Sequence, residues 1–251
     1  MTIRSLLEHV GIDTTGRDIH VGDRLVDPAP LTAIGDPVKN QPSIPGLDSA
    51  IRHKAFQPPT LGMFAHGLVQ AFDQTLTNTG VVLIKSNELG LHLMATAMIK
   101  PPEEVLAVKS TEGNYGRADS IHDGILRHRG GFASNADAIV YERPPVKGMR
   151  IESSLLAGRE VHRATMGRAV MMDNRHAKTL LIGRAGNKAN PVTKADVKEM
   201  VEAYLGSPRE QGKNMPWNEH TRDACMLALA WLLDEKKRQD QAAAVSLAAA
   251  A

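Results

Sequence analysis

The sequence predicts an α/β fold, a mixed five-stranded sheet flanked by helices, with an irregular N-terminal arm in front of it. Three observations lead there. Residues 67–99 hold three β-rich runs joined by short polar turns, the order of consecutive hairpins. Residues 138–205 then alternate short β-rich runs with helical periodicity, as strands linked by helices do. The chain has 251 residues, enough for one sizeable globular domain plus appendages.

Taken in order, the arm comes first. Residues 1–60 contain "DPAPLTAIGDPVKNQPSIPG" and "FQPPTLG", whose prolines and glycines break any long element, and one short amphipathic helix candidate, "SLLEHV". Strands are expected near 67–73, 79–85 and 91–99. In the stretch "AFDQTLTNTGVVLI", residues 71–84, the first strand closes on Asp73, which faces inward. The segment 101–135, rich in Gly, Asn and charge, is an insertion expected to hold one helix. The strand "ADAIVYE" ends at Glu142, before the strand-breaking Pro144 and Pro145. A helix "ESSLLAGREVHRAT" and a short strand "RAVMMD" follow.

The next helix starts near Thr193. Thr193 with Asp196 has the form of a capping box, Val197, Met200, Val201 and Tyr204 make an inward stripe, and Lys194 and Lys198 share another face. The last helix opens in "NEHTRDACMLALAWLL" with Asn218 as its N-cap. From Ala224 to Leu233 it is apolar all round, as a helix at the centre of a domain would be. The Ala-rich end either prolongs this helix or frays. The expected organisation is therefore an arm or small subdomain (1–60), a main domain (61–236) and a C-terminal tail (237–251).

Composition narrows the class. The formal net charge is +2, and Cys225 is the only cysteine, which excludes an intrachain disulfide framework and a cysteine-based zinc site. No apolar run approaches the ~18 residues of a spanning helix. The N-terminus lacks the apolar core and cleavage site of a signal peptide. The expectation is a soluble cytoplasmic protein in a reducing compartment.

Four residues stand out as candidates for chemistry. Asp73 and Glu142 each close an apolar strand, and His220 and Asp223 lie at i,i+3 on one face of the first turns of the buried helix. Each has a structural explanation when taken alone: Asp73 as a turn cap, Glu142 as a partner of Arg143, Asp223 as an acid favoured by the helix dipole, His220 as a satisfied core histidine. Together, three acids and a histidine at the ends of apolar elements are the donor set that a hard divalent cation requires.

These same stretches carry a family resemblance. "FDQTLTNTGVVLI" resembles the first motif of the RuvC family of Holliday-junction resolvases, in which a catalytic Asp ends the first strand. "IVYERPP" resembles the motif with the catalytic Glu, and "HTRDACMLALAWL" the His/Asp-x-x-Asp that opens the final helix. "AKTLLIGRAGNKANPVTKADVKEMV" is similar to the stretch with a Lys before a Gly-rich basic turn and a second Lys opening a helix. The four follow the family's order over residues 66–236.

The resemblance implies a ribonuclease H-like fold and a structure-specific, metal-dependent endodeoxyribonuclease that resolves junctions in DNA recombination and repair. It implies that Asp73, Glu142, His220 and Asp223 ligate two Mg²⁺ ions, for which Mn²⁺ would substitute, and that Lys178 and Lys194 lie beside the scissile phosphate. It further implies branched DNA as partner and a homodimer making paired nicks. The chain also departs from the family: Gln74 and Thr75 stand where Pro-Gly is usual, the 60-residue arm is additional, and the segment 101–135 has no counterpart.

Charge agrees with a DNA substrate. Between residues 143 and 213 there are 14 Lys/Arg against 7 Asp/Glu, an excess suited to a phosphate-tracking surface. Lys178, Arg184, Lys188, Lys194 and Lys198 are the candidate DNA-binding residues. The glycines of "GRAGNK" would let a backbone approach closely. Aromatic residues are 4% of the chain, so backbone recognition is favoured over base stacking. Alternatives are a broad-specificity branched-DNA or flap endonuclease, ribonuclease H activity on hybrids, a sugar-kinase or actin-like ATPase, for which a second phosphate loop is missing, and a non-catalytic DNA-binding relic. The sequence leaves open whether His220 ligates metal or orients water.

Overall fold

The computed structural model of the protein describes residues 61–132, 135–145 and 151–250. The expected arm over residues 1–60, with its helix candidate, lies outside the described residues.

After a 3₁₀ turn at Leu61–Met63, the chain forms β1 (Gly67–Asp73), β2 (Thr79–Asn87) and β3 (Gly90–Ile99), then α1 (Glu103–Ala107) and α2 (Thr111–Phe132). There follow β4 (Ala138–Glu142), α3 (Ile151–Ala164), β5 (Ala169–Met172), α4 (Asn174–Ile182), α5 (Lys194–Leu205) and α6 (Glu219–Ala250). The sheet order is β3-β2-β1-β4-β5, with β1–β2 and β2–β3 antiparallel and β1–β4 and β4–β5 parallel. The mixed five-stranded sheet is as expected, and β1 lies at its centre.

Two elements differ from expectation. The segment 101–135 holds two helices, a short α1 and the 22-residue α2. Glycine in a helix interior ordinarily weakens it. At Gly124 it permits close packing, because a Cβ there would collide with Ile99 of β3. The β2–β3 hairpin is also longer than expected. Asn87 Oδ1 accepts a hydrogen bond from the Leu89 amide at 2.9 Å, closing a tight turn directly between the strands.

The period-2 alternation of the strands divides the core between the two sheet faces. Val69 and Ala71 of β1, Val82 and Ile84 of β2, and Ala138 and Val140 of β4 pack with α4, α5 and α6. Phe72, Val81, Leu83, Ile139 and Tyr141 pack on the other face with Ile121 and Ile125 of α2 and Val161 of α3. Every residue of α6 from Ala224 to Ala230 is fully buried. This explains its apolar sequence all round: α6 is the central helix. Its Ala-rich end continues the helix to Ala250, in keeping with alanine's helix propensity. No helix among the described residues is long and apolar enough to cross a membrane.

The caps formed as their sequences suggest. Thr193 and Asp196 make the reciprocal capping box of α5. Asn218 Oδ1 accepts from the Thr221 amide at 3.1 Å, at the start of α6. The α5 stripe buries Val197, Met200 and Val201 and closes with Leu205. Tyr204 is only half-buried, edge-on to Phe64 with ring centres 5.5 Å apart.

Candidate active site

The alternation that turns Val69 and Ala71 toward α6 also turns Asp73 that way, and Ala138 and Val140 do the same for Glu142. The strands are parallel neighbours with Phe72 beside Tyr141, so both carboxylates emerge side by side at the same end of the sheet. The first turn of α6 closes the third side. His220 Nδ1 lies 2.7 Å from Asp73 Oδ2, the imidazole N–H donating to the carboxylate. Gly80, opposite Asp73 on β2, makes this approach possible, since a Cβ there would collide with the His220 backbone carbonyl.

Of the acids of the site, Glu142 is the one without a basic partner among the described residues. Glu142 accepts one side-chain hydrogen bond, from Asn174 Nδ2 at 2.9 Å on Oε1. Burial, reinforced by the neighbouring Asp73 and Asp223 charges, pushes the Glu142 carboxyl up to about 8. Burial first, then the charge of Asp73, pushes Asp223 up to about 6, although Lys178, Lys194 and His220 pull it the other way. His220 is raised by its hydrogen bond to Asp73, against its partial burial.

The four sequence-selected residues therefore meet at one place. Lys178 of α4 and Lys194 of α5 stand close enough to act on Asp223. Lys194 also pairs with Glu219. Arg184, expected at the DNA surface, makes local contacts in this structure. Its guanidinium donates to Asn190 Oδ1 and Pro191 O, both at 3.0 Å, and faces Asp196 at 3.4 Å, so it braces the turn between α4 and α5. Lys188 is exposed on that turn and Lys198 on α5. Glu142 has its partner in Asn174 rather than in Arg143.

Two contributors were not singled out from the sequence. Asn174 is the first residue of α4, placed over Glu142 by the Asp173 N-cap. Gln74 was noted only as a departure from the family. It is buried, and its amide makes two bonds to the Glu142 backbone, Nε2 to the carbonyl at 2.6 Å and Oε1 from the amide at 3.2 Å. It thus extends the β1–β4 pairing by one side-chain rung and ties the two carboxylate-bearing strand ends together. The signal was a polar residue directly after a strand-ending acid; its partner, 68 residues away, was not readable locally.

Among the described residues, no group of three or more His, Cys, Asp or Glu side chains is already arranged to hold a metal ion. The His220 ring rests on Asp73 instead. The donor chemistry nevertheless suits a hard divalent cation. The site gathers carboxylate oxygens; burial, then mutual repulsion, raises two of their proton affinities, and a cation relieves that repulsion as a proton does.

No protein-family model matches the chain, and no curated protein sequence does. Two solved structures are similar in fold. Thermus thermophilus RuvC in complex with a Holliday junction substrate has 20% identity and a TM-score of 0.53, over 68% of this chain and 96% of the other. Thermus thermophilus RuvC by itself has 19% identity and a TM-score of 0.51, over the same shares. The described domain thus shares the fold of these two structures.

Proposed function

We propose that the protein is a structure-specific DNA endonuclease that resolves Holliday junctions by metal-dependent phosphodiester hydrolysis with paired nicks. The observation that carries the proposal is the meeting of Asp73, Glu142 and Asp223, short of positive charge, beside Lys178 and Lys194. Asp73, Glu142, Asp223 and His220 would hold two Mg²⁺ ions, or Mn²⁺ in their place. Bound there, the ions supply an activated water near neutral pH and charge neutralisation at the scissile phosphate.

The chain's own residues do the rest. Lys178 and Lys194 hold the phosphate against the carboxylates. His220 would either ligate the metal or orient a water through its ring nitrogen. Gln74 and Asn174 keep the Glu142 backbone and carboxylate fixed, so that the donors need little rearrangement. The junction as substrate is supported by the similar RuvC structure, which holds a Holliday junction substrate.

Resolving a four-way junction takes two related cuts, and one site cuts one strand, so the active species is a homodimer with two-fold symmetry. In α3, Ala157, Gly158, Val161 and Ala164 are buried within its own domain, while Leu155 is exposed. The nuclease domain is taken as residues 61–236, with 1–60 serving recognition or partner binding and 237–251 as a tail.

The test is a Mg²⁺ cleavage assay on four-way, three-way, flap and RNA–DNA hybrid substrates, paired with sedimentation at micromolar concentration. Symmetric nicking of the four-way junction by a dimer is expected. A monomer that nicks one strand of any branched DNA would replace this reading with the flap-type endonuclease.

A further inference from the structure

The proposed site opens into a groove lined by Lys100 from the end of β3 and by Asn218, His220 and Arg222 from the start of α6. A second groove lies between α5 and the 206–218 connection, lined by Lys198, Arg209, Lys213 and again Arg222. Arg222 lines both, so the two grooves adjoin at the start of α6, one on the side of His220 and the other on the side of α5.

Together the two grooves are positively charged. Of their two acids, Glu219 pairs with Lys194, while Glu202, which accepts a hydrogen bond from the neutral Trp217 Nε1 at 2.9 Å, keeps its charge but is outnumbered by the lysines and arginines of the two grooves. The bases are free of such neutralisation. Among the described residues no carboxylate pairs with Lys100, Lys198, Arg209 or Arg222. Lys100, Lys198 and Arg209 are exposed, with their charge directed at solvent. Lys213 anchors the connection to the sheet by donating to Leu93 O at 3.1 Å. The Thr96 hydroxyl, donating to Pro216 O at 2.6 Å, does the same from the other side. The wall that carries Arg209 is therefore held by the fold.

We infer that the adjoining grooves act as one track that, with Lys100, Arg209 and Arg222 as its phosphate-binding groups, carries the DNA backbone as it leaves the cleavage site. The inference rests on the proposed nuclease function and extends its DNA surface to a set of residues separate from Lys178 and Lys194. A groove lined by unneutralised lysine and arginine suits a polyanion rather than a single small anion, because successive phosphates meet successive cations along its length.

The test measures equilibrium binding of a synthetic four-way junction and of a linear duplex without divalent metal, across a series of salt concentrations. The full chain is compared with the triple variant Lys100→Gln/Arg209→Gln/Arg222→Gln and with Lys237→Gln, an exposed cation on the far part of α6. Circular dichroism verifies that each variant is folded, and Arg209→Gln alone serves if the triple variant does not fold. The triple variant is expected to bind about tenfold or more weakly, with a salt slope shallower by about 2 to 3, roughly one for each lost phosphate contact. Lys237→Gln is expected to match the unaltered chain. Unchanged affinity and slope in the triple variant, or an equal loss in Lys237→Gln, would overturn the track. If the unaltered chain binds duplex and junction alike while the triple variant loses slope, the track stands and the junction reading falls.

Discussion

Two carboxylates of this domain, one buried and one partly buried, have opposite surroundings. Glu160 of α3, 1% exposed, sits beside two guanidinium groups, Arg163 Nη1 at 2.5 Å and Arg159 Nε at 3.9 Å, with His122 Nδ1 at 3.4 Å. Glu142 has one neutral amide donor and two further carboxylates nearby, and its carboxyl is pushed up to about 8. Burial alone does not mark a functional acid. A buried acid with its counter-charges present holds helices together, whereas one held among other acids is arranged to receive a cation from outside.

The contrast breaks first, and most severely, at the site. Asp73→Asn and Glu142→Gln each keep side-chain shape and remove a ligating charge. Each should lower cleavage by about a thousandfold or more, equivalent to about 4 kcal/mol in the barrier, while junction binding and folding persist. A single-turnover cleavage assay alongside a binding assay checks this, and appreciable activity in either variant would remove the assignment.

Glu160→Gln should do the reverse. It strips the ion-pair partner from Arg163 and should cost about 2 kcal/mol of stability, read by denaturant unfolding, with cleavage per folded molecule unchanged. A loss of activity without a loss of stability would mean that the two regions are not distinct in kind.

A smaller effect is expected at Gln74. Gln74→Leu fills similar space but removes both bonds to the Glu142 backbone. We expect turnover to fall about tenfold, with junction affinity within about twofold and a higher Mg²⁺ requirement, as befits a positioning residue. Gln74→Glu keeps only an acceptor, and its rescue of turnover would rule out the two-bond clamp.

The mildest test uses pH. Glu142 and Asp223 hold protons more tightly in the folded protein than in the unfolded chain, with values raised to about 8 and about 6. Their contribution to stability is thus complete below the unfolded values near pH 4 and is lost as pH rises through about 6 and then about 8. In chelator, the melting temperature should fall by a few degrees, about 3 °C, between about pH 5 and pH 8.5. Mg²⁺ should restore more of it at the upper end, where protons no longer compete for the carboxylates. Glu142→Gln should flatten the profile. A profile identical in Glu142→Gln would place the titration elsewhere.

Much of the fold was readable because its signals are local. Alternation over five to ten residues defined β1 to β4 and placed Asp73 and Glu142 at strand ends, and cap residues defined the starts of α5 and α6. The segment 101–135 was less legible. Its glycines argued against a long helix, and only packing against β3 explains why one of them is suited there.

Sequence by itself determined the alternating α/β pattern, the four acid and histidine positions, the apolar α6 and the basic character of residues 143–213. Tertiary structure decided which of these residues meet and with what partners. His220 and Asp73 are 147 residues apart, and Gln74 and Glu142 are 68 apart. It also decided that Arg184 braces a turn while Arg222 faces two grooves. The physical reason is one of range. Strand alternation and helix caps depend on neighbours two to four residues away, whereas the partner of a charged side chain depends on strand order and helix placement, which arise only when the whole sheet has formed.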